Sequence, residues 1–407
     1  MKPAGAPRIL YVSALVGTET FRALFSGARV TPSLAAQKYH RLMTKGLVHS
    51  GALVTALSAP PATRETCGRR FLVLKGEKQD GVRLRYLPIV GLPAVKHAVV
   101  CAGAFFYALF FLSKDAFVVC DGLNVAAAGG ARAAAKLRGR PCAAIVTDVP
   151  NILADGETRV SCWNTRMLAK FDGYVLLTEA MNPLVNPNGR PYLVAEGQVD
   201  AETVPRGTVP ETETAEKICL YAGMLHEKYG VLRLAEAFSR VKDENARLVF
   251  YGDGDAAERL RLLAAKDPRI ECRGVADNET VVREELRAAL LINPRPSGEQ
   301  FTAYSFPSKN LEYMASGTPV LTTRLSGMPR EYDDYAYLFD DESVEGMARS
   351  LEAALAVPGA ERRRFGAAAR AFVLEHKSNV AQARRVLAFL RSLEQARRGV
   401  KRTEESE

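Results

Sequence analysis

Hydrophobic residues along the chain fall into short unbroken runs that alternate with longer stretches of helical spacing. The short runs predict buried strands, because strands of a parallel sheet are covered on both faces and carry few polar residues. In the first half these predicted strands lie at 9–16, 52–57, 82–87, 116–120, 142–146 and 173–177. Predicted helices lie between them at 34–47, 95–112 and 125–136. The alternation predicts an α/β fold with a parallel sheet and right-handed crossovers.

The pattern breaks once, at residues 199–216, and then restarts. That stretch is rich in Pro, Glu and Thr and has no hydrophobic period, which is typical of a linker. We therefore predict an N-terminal domain over 1–200, a linker over 201–216 and a C-terminal domain over 217–378. A C-terminal helix and tail cover 379–407, and packing back onto the N-terminal domain is one option for them. Two such domains would face each other across a ligand-binding cleft.

Composition narrows the possible partners. The 407 residues carry a formal charge of +9, 47% hydrophobic residues and 25% charged residues, which excludes collagen, coiled coils and wholesale disorder. The excess of cations suits an anionic ligand, an anionic membrane surface or nucleic acid. The basic residues are spread out and no nucleic-acid-binding motif is present, so nucleic acid is the least favoured of the three.

Cysteine and histidine spacing argues against a metal centre. None of the seven cysteines forms a C-x2-C pair, and none of the five histidines neighbours a cysteine or a second histidine at ligand spacing. Buried thiols in a reducing compartment are the simplest interpretation. The N-terminus shows no signal-peptide pattern, so we expect a cytoplasmic protein. From the cysteine and histidine spacing we expect no bound metal.

The most informative segment is 304–321, which reads YSFPSKNLEYMASGTPVL. Ser308 is a plausible N-cap, and the free N–H groups of a helix start bind anions. Lys309 in the first turn opposes the helix dipole unless an anion such as a diphosphate binds there. Glu312, one turn along, would then be placed to accept hydrogen bonds from ribose hydroxyls. An ordinary capped helix with a solvated lysine explains the local pattern equally well.

This segment resembles the donor-binding segment of retaining glycosyltransferases with the GT-B fold, specifically the F-P-S-K-x-x-E subgroup of glycosyltransferase family 4, the "glycosyl transferases group 1" set. Flanking signals occur in the same order, from LYAGMLHEKYGVLRLAEAF through LVFYGDGD and IECRGV to LLINPRPS. The resemblance covers roughly 217–375 and reaches the N-terminal half only through its architecture and a few short marks. It implies two Rossmann-like domains and a nucleoside-diphosphate sugar as co-substrate, without a bound cofactor.

The resemblance also implies roles for individual residues. The implied donor-binding positions are Gly17, Gly223, Gly252, Arg273, Gly274, Arg295, Phe306, Ser308, Lys309 and Glu312. Asp148, Lys228 and Lys309 are the implied catalytic residues, with the two lysines stabilising charge on the diphosphate. A surface lysine at Lys228 and a plain tight turn at Gly252 are the alternatives.

The sequence departs from the family pattern at two places. Many members carry two glutamates separated by seven residues, but Tyr304 stands eight positions before Glu312. Many members also carry an arginine after the glycine of the first loop, where this chain has Met224. Positive charge at the phosphates must then come from Lys228, Lys309 or Arg295.

By the same resemblance the N-terminal domain would bind the acceptor, a saccharide or a lipid-linked molecule. Asp148 stands where many members have a His-Asp pair after a strand, and Thr147 occupies the histidine position. Asp148 would contact the sugar or the acceptor hydroxyl, and a simple turn cap before Pro150 is the alternative.

The predicted function is therefore transfer of a sugar, with retention, from a nucleoside-diphosphate sugar to an acceptor hydroxyl in cell-surface polysaccharide or glycolipid synthesis. A nucleotide-sugar 2-epimerase and a non-catalytic GT-B partner are the alternatives. The apolar helix around 98–112 is too short to span a bilayer. Its aromatic cluster and flanking lysines leave two interpretations, a core helix or peripheral contact with an anionic membrane at the inner face of the plasma membrane.

Overall fold

The computed structural model describes residues 5–28, 30, 32–149, 159–203 and 216–404. The chain divides into two compact units. The first unit contains the chain up to Gln198 together with the segment from Asn379 onward, and the second contains Val199–Ser378. Most of the predicted linker, 204–215, lies outside the described residues.

The first unit is built on an eight-stranded sheet, counted over the described residues, with the order β10-β9-β8-β7-β1-β2-β5-β4. Its strands are β1 (Arg8–Ser13), β2 (Leu53–Ser58), β4 (Glu77–Gln79), β5 (Val82–Tyr86), β7 (Ala116–Asp121), β8 (Cys142–Val146), β9 (Gly173–Leu176) and β10 (Tyr192–Val194). The strands pair in parallel except β4, which forms an antiparallel hairpin with β5. A separate antiparallel pair is formed by β3 (Phe71–Leu72) and β6 (Ile89–Val90).

Helices cover this sheet. They are α1 (Thr18–Phe25), α2 (Leu34–His49), α3 (Arg64–Cys67), α4 (Pro93–Phe111), α5 (Val125–Leu137), α6 (Arg159–Leu168), α7 (Asn182–Val185) and, from the C-terminal segment, α14 (Asn379–Glu404). The apolar face of α14, including Val386 and Leu390, joins the core formed by β1, β2 and α2. Gly46 lets α2 approach α14 closely, because a Cβ there would lie 2.1 Å from the Asn379 carbonyl oxygen.

The second unit contains a six-stranded parallel sheet, again counted over the described residues, in the order β13-β12-β11-β14-β15-β16. Its strands are β11 (Lys217–Ala222), β12 (Ala246–Tyr251), β13 (Ile270–Cys272), β14 (Leu290–Asn293), β15 (Val320–Thr323) and β16 (Tyr337–Phe339). Its helices are α8 (Val231–Phe238), α9 (Ala257–Ala264), α10 (Asn278–Arg287), α11 (Ser308–Ser316), α12 (Val344–Ala356) and α13 (Gly359–His376). The strand order reverses beside β11, which is the position where doubly wound sheets bind nucleotides.

The α/β prediction is confirmed in both units, and most predicted elements agree with the observed ones within two or three residues. The first strand is the clearest boundary error, because it ends at Ser13 rather than at residue 16. Leu15 and Val16 are buried in the turn that follows, so burial alone extended the predicted strand. Short elements such as α1, β3, β4 and β10 carry too little pattern to be predicted.

Candidate functional site

Three glycines line the carboxyl edge of the second sheet, one after each of three neighbouring strands. Gly223 follows β11, Gly252 follows β12, and Gly274 comes two residues after β13. The Gly252 amide donates to the Gly274 carbonyl at 2.8 Å, and a Cβ on Gly252 would lie 1.8 Å from the Gly223 carbonyl oxygen. Gly252 has a φ of +131°, which L side chains rarely adopt. The three loops therefore lie side by side without side chains between them.

Helix α11 is fixed to this edge by polar groups on its inner face. The Tyr313 hydroxyl accepts a hydrogen bond from the Ala222 amide at 2.9 Å, at the last residue of β11. Asn310 donates to the Thr322 hydroxyl on β15 at 3.1 Å and accepts from Asn293 on β14 at 2.7 Å. Burial raises the pKa of Tyr313, so its hydroxyl keeps its proton. These bonds bring the N-terminus of α11 to the Gly223 loop.

Lys309 lies directly over Gly223. A Cβ on Gly223 would be 2.9 Å from Lys309 Cε and 3.1 Å from its Nζ. The same amine lies 5.3 Å from the centroid of the Tyr313 ring. A cation thus lies where the β11 loop meets the start of a helix, and both features favour a bound phosphate.

Ser308 does not cap α11 as the sequence predicted. It is the first helical residue, and Pro307 occupies the N-cap position with no side-chain cap bond. A proline there is tolerated because it has no N–H to leave unpaired. Ser308 and Glu312 are four residues apart, so they share one face of the helix, and both are exposed. Both residues therefore lie at the same end of the site as Lys309.

Arg295 follows β14 and stacks on an aromatic ring. Its guanidinium lies 4.7 Å from the centroid of Tyr229 and 5.6 Å from that of Phe301. Its Nε is buried without a hydrogen-bond partner, and burial lowers the pKa of the guanidinium. Lys228, exposed in the same turn as Tyr229, has its Nζ 5.6 Å from that ring. Both cations therefore belong to one loop cluster beside β14.

The side chains of two predicted donor-binding residues are engaged by other parts of the second unit. The Arg273 side chain is taken up by Glu271 at 2.8 Å, by Glu284 at 3.1 Å and by the Tyr251 hydroxyl at 3.1 Å. Only its main chain, next to Gly274, lies at the glycine edge. Phe306 is 7% exposed and packs against Tyr332 in the core. Its position fixes the approach to α11 rather than offering a free surface.

In the first unit, the Gly17 loop after β1 is held by the β4–β5 hairpin. The Gly17 amide donates to the Tyr86 hydroxyl at 3.0 Å, and the Thr18 amide donates to Gln79 at 2.8 Å. Glu77 accepts from Thr20 at 2.8 Å and also from Tyr86, and a Cβ on Gly17 would collide with its carboxylate. Burial, and then Glu77, raise the pKa of Tyr86. Sequence analysis predicted the strand at 82–87 but not β4, its partner in this hairpin.

A cavity of about 300 Å³ lies at the carboxyl edge of the first sheet. His40 and Asp121 line it together with Gln37, Lys96, His97 and Thr147. His40 Nδ1 lies 2.7 Å from the Tyr11 hydroxyl, and its Nε2 lies 3.3 Å from Asp121 Oδ2. Burial raises the pKa of Tyr11, so that hydroxyl keeps its proton. Sequence reasoning missed this network, since a lone histidine on a helix carries no motif.

Asp148 follows β8 but does not line this cavity, whereas its neighbour Thr147 does. Its carboxylate accepts a hydrogen bond from the Val149 amide at 2.8 Å. Burial raises the pKa of Asp148, and the bond from Val149 opposes this only in part. Pro150, which follows the turn that Asp148 was expected to cap, lies outside the described residues.

Within the described part of the chain, no group of three or more His, Cys, Asp or Glu side chains is placed to hold a metal ion. In the same part, no helix is both long and apolar enough to cross a bilayer.

Comparisons with known proteins agree with this geometry. Residues 216–356 match the family model described as "Glycosyl transferases group 1". No curated protein matches the chain in sequence. Among solved structures, sucrose-phosphate synthase from Thermosynechococcus elongatus is 16% identical, with a TM-score of 0.64 over 96% of this chain and 100% of that one.

Two further structures are similar in fold. Anabaena HepE in complex with UDP is 12% identical, with a TM-score of 0.63 over 95% of this chain and 100% of that one. The lipopolysaccharide outer core galactosyltransferase WaaB is 13% identical, with a TM-score of 0.63 over 95% of this chain and 99% of that one. At these identities the likeness shows the fold, which is GT-B. The family match and the fold together support a glycosyltransferase with the GT-B fold.

Proposed function

We propose that the protein transfers a sugar, with retention, from a nucleoside-diphosphate sugar to an acceptor hydroxyl, with family 4 of the glycosyltransferases as its class. The observation that carries the proposal is the position of the Lys309 amine. It lies over Gly223, at the N-terminus of α11 and beside the three glycine loops. The similar fold of HepE, solved with UDP and with UDP and glucose, supports a nucleotide-sugar donor.

Each part of the donor has a matching group in the second unit. The diphosphate would lie between the Gly223 loop and the first turn of α11, where the helix N-terminus and the Lys309 amine would bind its charge. The ribose would reach Glu312 on the exposed face, and the base would lie along the main chain of Arg273 and Gly274. Lys228 and Arg295 would add positive charge from the β14 side.

Catalysis would be mainly electrostatic. Breaking the bond between the anomeric carbon and the phosphate oxygen leaves negative charge on the β-phosphate. Lys309, together with Lys228 from the loop cluster beside β14, would stabilise that charge as it develops. The departing phosphate oxygen would take the proton of the acceptor hydroxyl while the hydroxyl oxygen bonds to the anomeric carbon. Asp148, which is adjacent to the cavity-lining Thr147 but outside the lining itself, would orient the acceptor from the edge of that cavity.

The acceptor would bind in the first unit, at the cavity lined by His40 and Asp121. Its polar lining of amide, imidazole and ammonium groups suits sugar hydroxyls or a phosphate. The fold shared with WaaB supports an acceptor in surface polysaccharide or glycolipid synthesis.

The test is transfer and hydrolysis measured over a panel of nucleotide sugars, with wild type compared with Lys309→Ala. We expect the variant to lose transfer by about a hundred- to a thousandfold, as is usual when one charge-stabilising donor is removed. Lys266→Ala, which removes an exposed lysine elsewhere in the second unit, is the matched control and should keep full activity.

The alternatives give different results in the same assay. Acceptor-independent change of the sugar nucleotide would indicate an epimerase, and no turnover of any donor by wild type would indicate a non-catalytic partner. Wild-type turnover by Lys309→Ala would contradict the phosphate assignment.

We also propose that the first unit contacts an anionic membrane at the inner face of the plasma membrane through α4. One face of α4, with Val100, Ala104 and Ala108, is buried against α5. On the opposite side Phe106, Phe110 and Phe111 are 54%, 70% and 71% exposed. This arrangement combines the two interpretations left open by the sequence, a packed helix and a surface helix.

Cations surround the exposed aromatic end of α4. Lys114 follows it, and Arg138 donates to the Leu112 carbonyl at 2.9 Å. Asp115 is the acidic neighbour. Aromatic rings with a basic rim match the interface of an anionic bilayer. Phe110→Ser with Phe111→Ser should reduce co-sedimentation with phosphatidylglycerol vesicles, whereas Leu262→Ser, an exposed apolar residue of the second unit, should not. Equal binding by all three proteins would contradict this contact.

A further inference from the structure

A second cavity in the first unit has cations as half of its ten lining residues. It measures about 510 Å³, which is a size that accommodates small ligands. Its charged lining consists of Arg132, Lys136, Lys170, Arg190 and Arg397, with Asp172 as the one carboxylate in that lining. The five positive charges repel one another, and the single negative charge offsets only part of this repulsion. A bound anion would offset more of it.

This cavity lies at the amino edge of the first sheet. Its lining residues Pro141, Asp172 and Pro191 directly precede β8, β9 and β10. The proposed acceptor cavity lies where the strands of the same sheet end. Because parallel strands have all their amino ends at one edge and all their carboxyl ends at the other, the two cavities are separate sites.

Arg132 has an unsatisfied hydrogen-bond donor in this region of the unit. Its Nε is buried without a hydrogen-bond partner. A buried donor without a partner is costly, so such groups usually pair with protein, water or a ligand. Among the described residues, Arg132, Lys136 and Arg190 form no ion pair.

Three of the charged lining residues make hydrogen bonds within the first unit. Asp172 accepts a hydrogen bond from the Cys142 amide at 2.9 Å, and Arg397 donates to the Arg140 carbonyl at 3.1 Å. Asp172 carries a single negative charge, which does not balance the five cations of the lining. The backbone of Arg190 is fixed by Asn186, whose side-chain oxygen accepts from its amide at 2.8 Å.

We propose that this cavity binds a phosphate group, as a phosphate monoester or diphosphate. Several guanidinium and ammonium groups around one space are the groups that recognise phosphate oxygens with charge-assisted hydrogen bonds. This site is additional to the proposed transfer reaction and does not depend on it.

The phosphate could belong to a free molecule or to a lipid headgroup. The lipid source has a structural basis, because Leu137, next to Lys136, is 70% exposed and Arg138 bonds to the end of α4. The rim of the cavity is therefore continuous in the chain with the aromatic end of that helix.

The experiment uses full-length protein carrying Lys309→Ala, so that phosphate binding at the proposed donor site does not contribute. Inorganic phosphate is titrated by calorimetry, and vesicles of phosphatidylcholine with and without phosphatidic acid are tested by co-sedimentation. Arg190→Gln, at an exposed position, and Arg132→Gln are compared with Arg391→Gln, an exposed arginine of α14 outside the cavity.

We expect Arg190→Gln and Arg132→Gln to weaken phosphate binding by about tenfold or more, the usual effect of losing a charge-assisted hydrogen bond. Loss with inorganic phosphate identifies a free ligand, and loss with phosphatidic acid vesicles alone identifies a lipid headgroup. Equal binding by all variants in both arms, or an equal loss in Arg391→Gln, would overturn the proposal. Arg190→Gln keeps the test valid if Arg132→Gln fails to fold.

Discussion

The carboxyl edges of the two sheets are built from different residues on the same architecture. In the second unit this edge consists of the glycines Gly223, Gly252 and Gly274, with the Lys309 amine above them. In the first unit, the Gly17 loop is covered by Glu77, and the adjoining cavity is lined by His40 and Asp121.

The two edges therefore suit different kinds of ligand. Glycine loops with a helix start let backbone amides and a cation approach a phosphate closely. A cavity with imidazole, carboxylate and amide groups suits neutral hydroxyls, which need both donors and acceptors. This comparison is the basis of our proposal that the donor binds in the second unit and the acceptor in the first.

Gly252→Ala should have the largest effect, on stability. The new Cβ would lie 1.8 Å from the Gly223 carbonyl oxygen at a φ of +131°, so the backbone must move. We expect a loss of about 3 kcal/mol or more in the free energy of unfolding, measured by denaturant titration. Gly274→Ala has a φ of +71° but no atom within 4 Å, and should cost only about 1 kcal/mol. Equal stability of the two variants would mean that the loops are not packed as described.

Gly223→Ala should have a smaller effect, on binding rather than stability. Its Cβ would meet the flexible end of Lys309, at 2.9 Å from Cε, so the amine moves while the fold remains. We expect nucleoside diphosphates to bind about tenfold more weakly, with an unchanged melting temperature. Gly298→Ala, which has no atom within 4 Å of its Cβ, is the control. If a folded Gly223→Ala protein bound nucleoside diphosphates with unchanged affinity, the proposed contact between Lys309 and the donor would be wrong.

Asp148 should have the smallest effect, on the pH dependence. Burial raises its pKa, so the carboxylate takes up a proton at a higher pH than an ordinary aspartate does. If its ionised form orients the acceptor, kcat/KM for the acceptor should fall on acidification at a pH above the usual aspartate range. Asp148→Asn should remove this acid limb.

Stability should respond in the opposite direction. The folded chain holds the Asp148 proton more tightly than the unfolded chain, so its contribution to stability is present at low pH and is lost as pH rises through the raised pKa. Asp148→Asn should flatten that part of the stability profile. An acid limb identical in wild type and variant would show that another group controls it.

The second unit could be predicted more fully than the first, and particular residues show why. Lys309, Ser308 and Glu312 lie within one helical turn, so their spacing carries the site in the sequence itself. His40, Asp121 and Tyr11 come from α2, β7 and β1, and the sheet alone brings them together. The N-cap was misassigned because Ser308 fits the usual preference, while the preceding Pro307 occupies the position.

The same reasoning explains the errors in extent. Buried Leu15 and Val16 continue the apolar run of β1, although the chain already turns after Ser13. The Glu77–Tyr86 hairpin holds the Gly17 loop through contacts sixty or more residues apart, for which a single sequence has no local signal. The sequence of α4 fits both a core helix and a surface helix, because both of its sides are apolar. In the structure one side is buried and the other is exposed.

The most direct test of the assignment is a calorimetric titration of nucleoside diphosphates into wild type, Lys309→Ala and His97→Ala. His97 is exposed and lines the cavity of the first unit, so its removal should leave the fold and the donor site intact. We predict that Lys309→Ala weakens binding of the best nucleoside diphosphate by about tenfold to a hundredfold, while His97→Ala leaves it unchanged. Weakened binding in His97→Ala with wild-type binding in Lys309→Ala would contradict the assignment of the donor to the second unit.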